Sequence, residues 1–382
     1  MSKKSKTVIV LGSFNRSNGI TTFVKRNYSW LKGHGWNFRF INIASADPAR
    51  ELSEIGPYRE VSQLKLGVGR HISELRQAIR EERAHGDYIH MHLDSLHNFL
   101  PLIFAKRAGF KRVIVHSHND QRGQYGKAKE LFQKIGMHLV GHCATDYLAC
   151  SQFAGDFFYL PSIQQSSRFR VLVNGIPLEK FAYQADMEKI IRSAFNLGDS
   201  FVVGHVGRFL PQKNQQFLLQ AFARFIPDHP DAKLMLIGAG RDMKKAEKLA
   251  DRLRITDSVI FTGYVNNVSD LQNAFDVFAL PSFYEGLSLS LLENQANGIP
   301  CLVSENQSPE SFIAHQTRKL SIAGEDAIER WRSALEQAYQ EKQAGIISKD
   351  QLSWQNIETL KAHKMDADDT AEGLLKLYNS FK

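Results

Sequence analysis

Two carboxylates eight positions apart, Glu285 and Glu293, stand in the run Pro281-Ser-Phe-Tyr-Glu-Gly-Leu-Ser-Leu-Ser-Leu-Leu-Glu293. The apolar stretch Asp276-Val-Phe-Ala-Leu280 reads as a strand that feeds a turn holding Pro281, Ser282 and Gly286. A helix-like stretch follows from about Ser288 to Ala296. Glu285 therefore stands at a strand-to-helix turn and Glu293 inside the helix. In an open α/β sheet, ligands bind outside the carboxyl end of the strand. The helix start adds unpaired N–H groups and a partial positive charge, which suit a phosphate. A phosphate seat flanked by acids able to hold hydroxyl groups reads as a site for a sugar nucleotide. Eight helical residues span ~12 Å, whereas a retaining glycosidase pair needs ~5 Å between carboxyl groups. The two acids therefore have separate tasks.

Other residues converge on the same chemistry. Val206-Gly-Arg-Phe-Leu-Pro-Gln-Lys-Asn214 places Arg208 and Lys213 after a strand, a guanidinium fork and a point charge for phosphate oxygens. Leu236-Ile-Gly-Ala-Gly-Arg241 and Phe261-Thr-Gly-Tyr-Val265 end two more strands; their glycines allow sharp turns, and Tyr264 offers a ring to a base. Gly12-Ser-Phe-Asn-Arg-Ser-Asn-Gly19 joins the first strand to a helix and could cradle an anion, although it lacks the G-x-G-x-x-G spacing. Singly, each has a plain structural explanation as a solvated charge or a strand-end glycine; their order along one half of the chain gives them weight.

The histidines cluster at strand ends, as His90-Met-His92, His97 and His116-Ser-His118, with His116 and His118 on one side of a strand. No carboxylate or cysteine completes a familiar metal spacing, so the expectation is no metal. Asp366-Ala-Asp368 is read as a helix cap.

The elements that must position these groups alternate twice over. The first series expects strands at Thr7–Gly12, Asn37–Ile43, Tyr88–His92, Arg112–His116, Tyr147–Cys150 and Phe169–Val173. The second expects them near Phe201–Val206, Lys233–Ile237, Val259–Phe261, Val277–Leu280 and Cys301–Val303, with helices between in both series. Such alternation predicts an α/β architecture of two Rossmann-like domains with mostly parallel sheets. The break falls near Asn174-Gly-Ile-Pro177, giving domains 1–180 and 181–367. Strands are expected to stop after Ser304, with helices at Asp326–Gln343 and Asp368–Lys382, the last packing back on the first domain.

At 382 residues, two domains are the natural expectation. No apolar run approaches the ~20 residues that span a bilayer, and Thr7–Gly12 is too short for a signal-peptide core. The three cysteines, Cys143, Cys150 and Cys301, have no metal spacing and fit reduced thiols of a cytosolic protein. The net charge of +8 is uneven: residues 1–180 hold 26 basic and 14 acidic side chains, and the remainder 22 and 26. This asymmetry points to an anionic partner for the first half. Lys127, Lys129 and Lys134 interleave with Leu131, Phe132, Ile135 and Leu139, which fits either a helix on an anionic membrane or an ordinary domain helix. A nucleic-acid partner is not expected, since the basic half lacks a reading motif.

The second half resembles the donor-binding domain of family 4 retaining glycosyltransferases with the two-domain GT-B fold. The resemblance rests on Gly207-Arg208, Lys213-Asn214, Gly238-Ala-Gly240, Gly263-Tyr264 and Glu285-Gly286 through Glu293. The first half resembles the same family through Asn18-Gly19, His116 and Val173-Asn-Gly-Ile-Pro177, and Val115-His-Ser-His-Asn119 is similar to a stretch of capsular and exopolysaccharide transferases. Family members commonly carry a double glycine where this chain has Asn18-Gly19.

The resemblance implies two domains facing each other across a cleft, the first binding acceptor and the second donor. It implies that Arg208 and Lys213 hold the donor diphosphate, Glu293 the ribose hydroxyls and Glu285 the donor sugar. Gly286, Leu287 and Ser288 would supply amides, and Gly19, Gly238 and Tyr264 would complete the donor contacts. His116 would contact the donor sugar from the first domain, with His118 and Asn119 on the acceptor side. The reaction expected is metal-independent, retaining transfer of a hexose or N-acetylhexosamine from a nucleoside-diphosphate sugar, UDP-sugar favoured. The acceptor expected is a hydroxyl of a lipid-linked or growing surface glycan, and the place cytoplasmic, peripheral at the inner face of the membrane. A sugar-nucleotide epimerase or a non-catalytic sugar-nucleotide binding protein are the alternatives.

Overall fold

A computed structural model of the chain describes residues 6–16, 19–43, 47–63, 66–118, 126–314, 316–346 and 348–381. It divides into two compact units, Met1–Asn174 with Ala367–Lys382, and Gly175–Asp366.

The first unit is built on strands β1 (Thr7–Gly12), β2 (Asn37–Ile43), β3 (Tyr58–Val61), β4 (Tyr88–Leu93), β5 (Arg112–Ser117), β6 (Asp146–Ala149) and β7 (Phe169–Val171). They form one parallel sheet in the order β3-β2-β1-β4-β5-β6-β7. Helices α1 (Gly19–Gly33), α2 (Val68–Glu82), α3 (Leu100–Ala108), α4 (Lys127–Cys143), α5 (Gln152–Phe158) and α6 (Pro161–Gln164) connect them. Both faces of the sheet are covered, so its central strands read as continuous apolar runs; Val8, Ile9, Val10 and Leu11 are all buried.

The second unit begins with α7 (Ala185–Ala194) and holds β8 (Val202–Val206), α8 (Gln215–Phe225), β9 (Lys233–Ile237), α9 (Met243–Arg252), β10 (Val259–Gly263) and α10 (Val268–Gln272). It continues with β11 (Val277–Leu280), α11 (Leu289–Ala296), β12 (Cys301–Ser304), β13 (Thr317–Leu320), α12 (Ala327–Gln343) and α13 (Lys349–Ala362). Its parallel sheet runs β10-β9-β8-β11-β12-β13. The Asp276 carboxylate locks the start of β11 to two helices, with Arg192 of α7 at 3.0 Å and Lys342 of α12 at 2.9 Å. Helix α14 (Ala367–Asn379) then returns to the first unit, where Leu374, Leu377 and Tyr378 join the core beside α1.

Two expectations are corrected. Strands do not stop after Ser304, since Thr317–Leu320 forms the edge strand β13. The second unit starts at Gly175, not 181, because Leu178 and Phe181 are buried within it and the Phe181 carbonyl accepts from Asn297 Nδ2 at 3.0 Å. At Gly175 a Cβ would lie 2.1 Å from the Asp366 carbonyl oxygen, so only glycine permits the two crossings to run side by side.

Candidate functional site

Chain order reverses in the second sheet between β8 and β11, and the loops after these two strands, Gly207–Asn214 and Pro281–Ser288, carry the residues singled out by sequence. This reversal is where open α/β sheets bind ligands. The two loops are stitched together. Phe283 N donates to Gln212 O at 2.8 Å, Asn214 Nδ2 to Pro281 O at 3.2 Å, and Gln212 Nε2 to Tyr284 O at 3.0 Å.

Within this frame Lys213 Nζ lies 2.7 Å from Glu285 Oε1, and both side chains are largely buried. Gln212 Nε2 reaches Glu285 Oε2 at 3.4 Å. Behind Glu285 the backbone pairs with Gln307, and Ser308 N donates to Glu285 O at 3.2 Å. Ser304 Oγ donates to Ser282 O, holding the turn from below. Gly286, Leu287 and Ser288 are buried. Helix α11 then opens with Ser288 as N-cap, no side-chain cap bond and no acid in its first turn. Its first amides are therefore not satisfied by a capping side chain. Glu293 is half-buried one turn into the helix.

Arg208 is exposed just beyond β8, and its carbonyl accepts from Gln215 Nε2 at 3.0 Å. Gly238 sits at φ +136° with its N–H donating to Gly263 O at 3.0 Å; a Cβ there would lie 2.2 Å from Gly207 O. Tyr264, next after β10, is 59% exposed. The structure thus gathers Gly207, Lys213, Gly238 and Glu285 along one sheet edge.

Sequence reading missed His205. Its ring is buried, Nδ1 donates to Ala279 O at 2.8 Å, and Nε2 has no hydrogen-bond partner among the described residues. Burial, with a lesser push from the Lys213 charge, takes its pKa down to about 4 against the opposing Ala279 bond. The ring is neutral at ordinary pH and adds no charge beside Lys213. Gln212 was also missed. The loop cations around it were legible, but an amide in a turn carries no signal of its own.

In the first unit the expected residues separate. Gly19 is exposed at the first position of α1, and Asn18 and Asn119 lie outside the described residues. His116 is fully buried, against the expectation that it touches donor sugar. It lies on β5, its ring edge-on to Phe23 of α1 with centroids 5.3 Å apart. His118, one residue past β5, is half-buried. His118 Nε2 bonds His92 Nδ1 at 2.7 Å, and Asn174 Nδ2 donates to His118 Nδ1 at 3.2 Å. Burial holds the pKa of His118 down at about 3.

Comparison with known proteins supplies the class. Residues 186–352 match the family described as Glycosyl transferases group 1. The chain is 29% identical to the putative glycosyltransferase EpsF of Bacillus subtilis over 99% of this chain and 97% of that one. It is 27% identical to an Escherichia coli UDP-Gal:alpha-D-GlcNAc-diphosphoundecaprenol alpha-1,3-galactosyltransferase over 69% of each chain. The crystal structure of Anabaena HepE in complex with UDP-glucose superposes with a TM-score of 0.76 at 17% identity, covering 98% of this chain and all of that one. The fold is GT-B, two parallel-sheet Rossmann-like units. The protein is a glycosyltransferase, and its match to the group 1 model lies within the second unit.

Proposed function

We propose that the protein performs retaining transfer of a hexose or N-acetylhexosamine from a UDP-sugar to a hydroxyl of a lipid-linked or growing surface glycan. The observation that carries this reading is the Lys213–Glu285 pair, held at the strand-order reversal beside the uncapped start of α11. Arg208 and Lys213 would bind the diphosphate, with the amides of Gly286, Leu287 and Ser288 at the helix start. Glu285, fixed from behind by Gln307 and Ser308, would face the sugar hydroxyls, and Glu293 would take the ribose. Gly238 would let the backbone approach, and Tyr264 would meet the base. These donors are in place before reaction, so they stabilise charge on the departing diphosphate without reorganising. The leaving phosphate, on the same face as the acceptor, would take the acceptor proton.

Two relatives support the substrate class: one is named for UDP-Gal and a diphosphoundecaprenol acceptor, and HepE was crystallised with UDP-glucose. We propose that transfer needs no divalent metal. We also propose that the first unit meets an anionic membrane through α4, where Leu131, Phe132 and Ile135 are exposed among Lys127, Lys129 and Lys134. Among the described residues, no helix is long and apolar enough to cross a membrane.

A thermal-shift series across UDP-, GDP- and ADP-sugars tests the donor reading. Ligand at 100 times its Kd stabilises by about 2.7 kcal/mol, so a UDP-sugar should raise Tm in the parent and not in the Arg208→Ala/Lys213→Ala double variant. Equal shifts in both proteins would sink the assignment. A transfer rate that depends on added Mn²⁺ would overturn metal independence.

A further inference from the structure

The sheet of the first unit carries a polar cluster where an apolar face is expected. His90 and His92 of β4 and His116 of β5 are all buried, and His92 stands directly across from His116 in the strand register. Alternation along the strands puts all three on the face covered by α1 and α14. One ring nitrogen from each lies within 4.8 Å of those of the other two.

The bonds around the cluster are unevenly shared. The Tyr28 hydroxyl bonds His90 Nδ1 at 2.8 Å and His92 Nε2 at 2.7 Å, and the Tyr378 hydroxyl bonds His90 Nδ1 at 2.7 Å. Both nitrogens of His116 and Nε2 of His90 have no hydrogen-bond partner among the described residues. Three buried polar atoms without a protein partner cost several times what one lost hydrogen bond costs. A satisfied histidine core would not leave them so.

We propose that His90, His92 and His116 together bind one divalent transition-metal ion of the zinc class, as a structural site of the first unit. The donor set selects the ion. Neutral imidazoles suit zinc, cobalt and nickel, whereas calcium and magnesium take oxygen ligands. His90 would ligate through its free Nε2 and give its Nδ1–H to a tyrosine hydroxyl, the outer bond that metal-bound histidines make. His116 has either nitrogen free. His92 would exchange one of its two present bonds for the metal. Tetrahedral zinc sets its nitrogens ~3.3 Å apart, so the rings, whose centroids now lie 4.3 to 5.5 Å apart, would have to turn to converge on one ion. A bound water completes the shell, and zinc lowers its pKa to about 7. That hydroxide would offset one of the two charges of the buried dication. Loading would occur as the unit folds, since a site this enclosed is made by folding itself.

This ion is separate from the donor site of the second unit and takes no part in transfer, so it stands or falls independently of the proposed reaction. The test is metal analysis of the full-length protein refolded with Zn²⁺ or Co²⁺ and then dialysed against EDTA. About one equivalent retained per chain is expected, with a nitrogen and oxygen shell at ~2.0 Å by X-ray absorption and no sulfur. His90→Gln and His116→Gln, checked for folding by circular dichroism, should each lose the ion; His138→Gln on exposed α4 should keep it. Less than about a tenth of an equivalent in the parent, a sulfur ligand, or full retention in both folded variants overturns the proposal. Should the variants fail to fold, the parent's stoichiometry and ligand shell decide alone.

Discussion

At the scale of single residues, Lys213 and Glu285 define the site because each explains the placement of the other. A largely buried carboxylate needs a partner, and Lys213 supplies one at 2.7 Å while the 3-10 turn Pro211–Lys213 fixes its position. Diphosphate would draw the ammonium toward itself and leave Glu285 to bond sugar hydroxyls. Lys213→Ala should therefore lower kcat/KM by about 10²–10³-fold, the scale of one lost charge-stabilising donor. It should also destabilise the second unit by about 1–3 kcal/mol through the uncompensated carboxylate. Initial rates with a UDP-sugar and urea unfolding of the same variant check the two effects separately. In Lys213→Ala/Glu285→Gln the stability should recover while the rate does not. The motif residues around this pair were legible in sequence, because their charges and glycines must stand at strand ends whatever packs behind them. His116 was misplaced for the opposite reason. Alternation gives it the same side as His118, but only the packing of Phe23 and the neighbouring rings decides which of the two is the more deeply buried.

At the scale of elements, strands central to each sheet were readable as apolar runs, and one edge strand of each sheet was not. Tyr58–Val61 and Thr317–Leu320 are four residues each, with two and three polar or charged residues, and pair on one side only. Helix α13 was missed because its buried face includes Ser353 and Asn356, which break the apolar stripe. Those two side chains donate to the carbonyls of Ala296 and Gln295, at 2.7 and 2.9 Å, and so close the carboxyl end of α11. The candidate site is thus supported from the far end of helix α11 by a segment that reads as polar surface. The strand ends are equally constrained. Gly238→Ala should destabilise the second unit by about 2–4 kcal/mol, from a strained φ and a clash with Gly207 O. Because Gly207 neighbours Lys213, the same variant should weaken UDP binding, which calorimetry would read directly. Unchanged stability and affinity would count against the close approach.

At the scale of the molecule, the two units differ in what they ask of pH and surface. His90, His92, His116 and His118 all have pKa values lowered by burial, His118 to about 3. Unfolded, each binds a proton below ~6.5. The folded unit stays unprotonated, so its stability is complete above that value and falls as pH drops toward the folded values. With four such groups the loss approaches about 5 kcal/mol per pH unit well below 6.5. The first unit should therefore unfold in mild acid, before the second, whose buried His205 contributes a single group of this kind. Domain-resolved hydrogen exchange between pH 7 and 5 would record the order. The basic excess of residues 1–180 concerns partners, not fold. Leu131→Ser/Phe132→Ser on α4 should reduce sedimentation with anionic vesicles several-fold and leave neutral vesicles unaffected. Loss of binding to both would indicate general damage instead of a membrane face.

Helix α14 places Tyr378 against Tyr28 and His90, although Gly175–Asp366 separates it in the chain from the rest of its unit. During synthesis, at about 5–20 residues per second, the sheet of the first unit must wait on the order of 10–40 s for that helix. Throughout the wait its histidine face stays open to water and to whatever is dissolved there. The second unit, continuous in sequence, can finish first. The interruption thus sets a timetable: the second unit is folded and waiting while the first is still unclosed, and the last turn of α14 seals the polar cluster at a moment fixed by the ribosome.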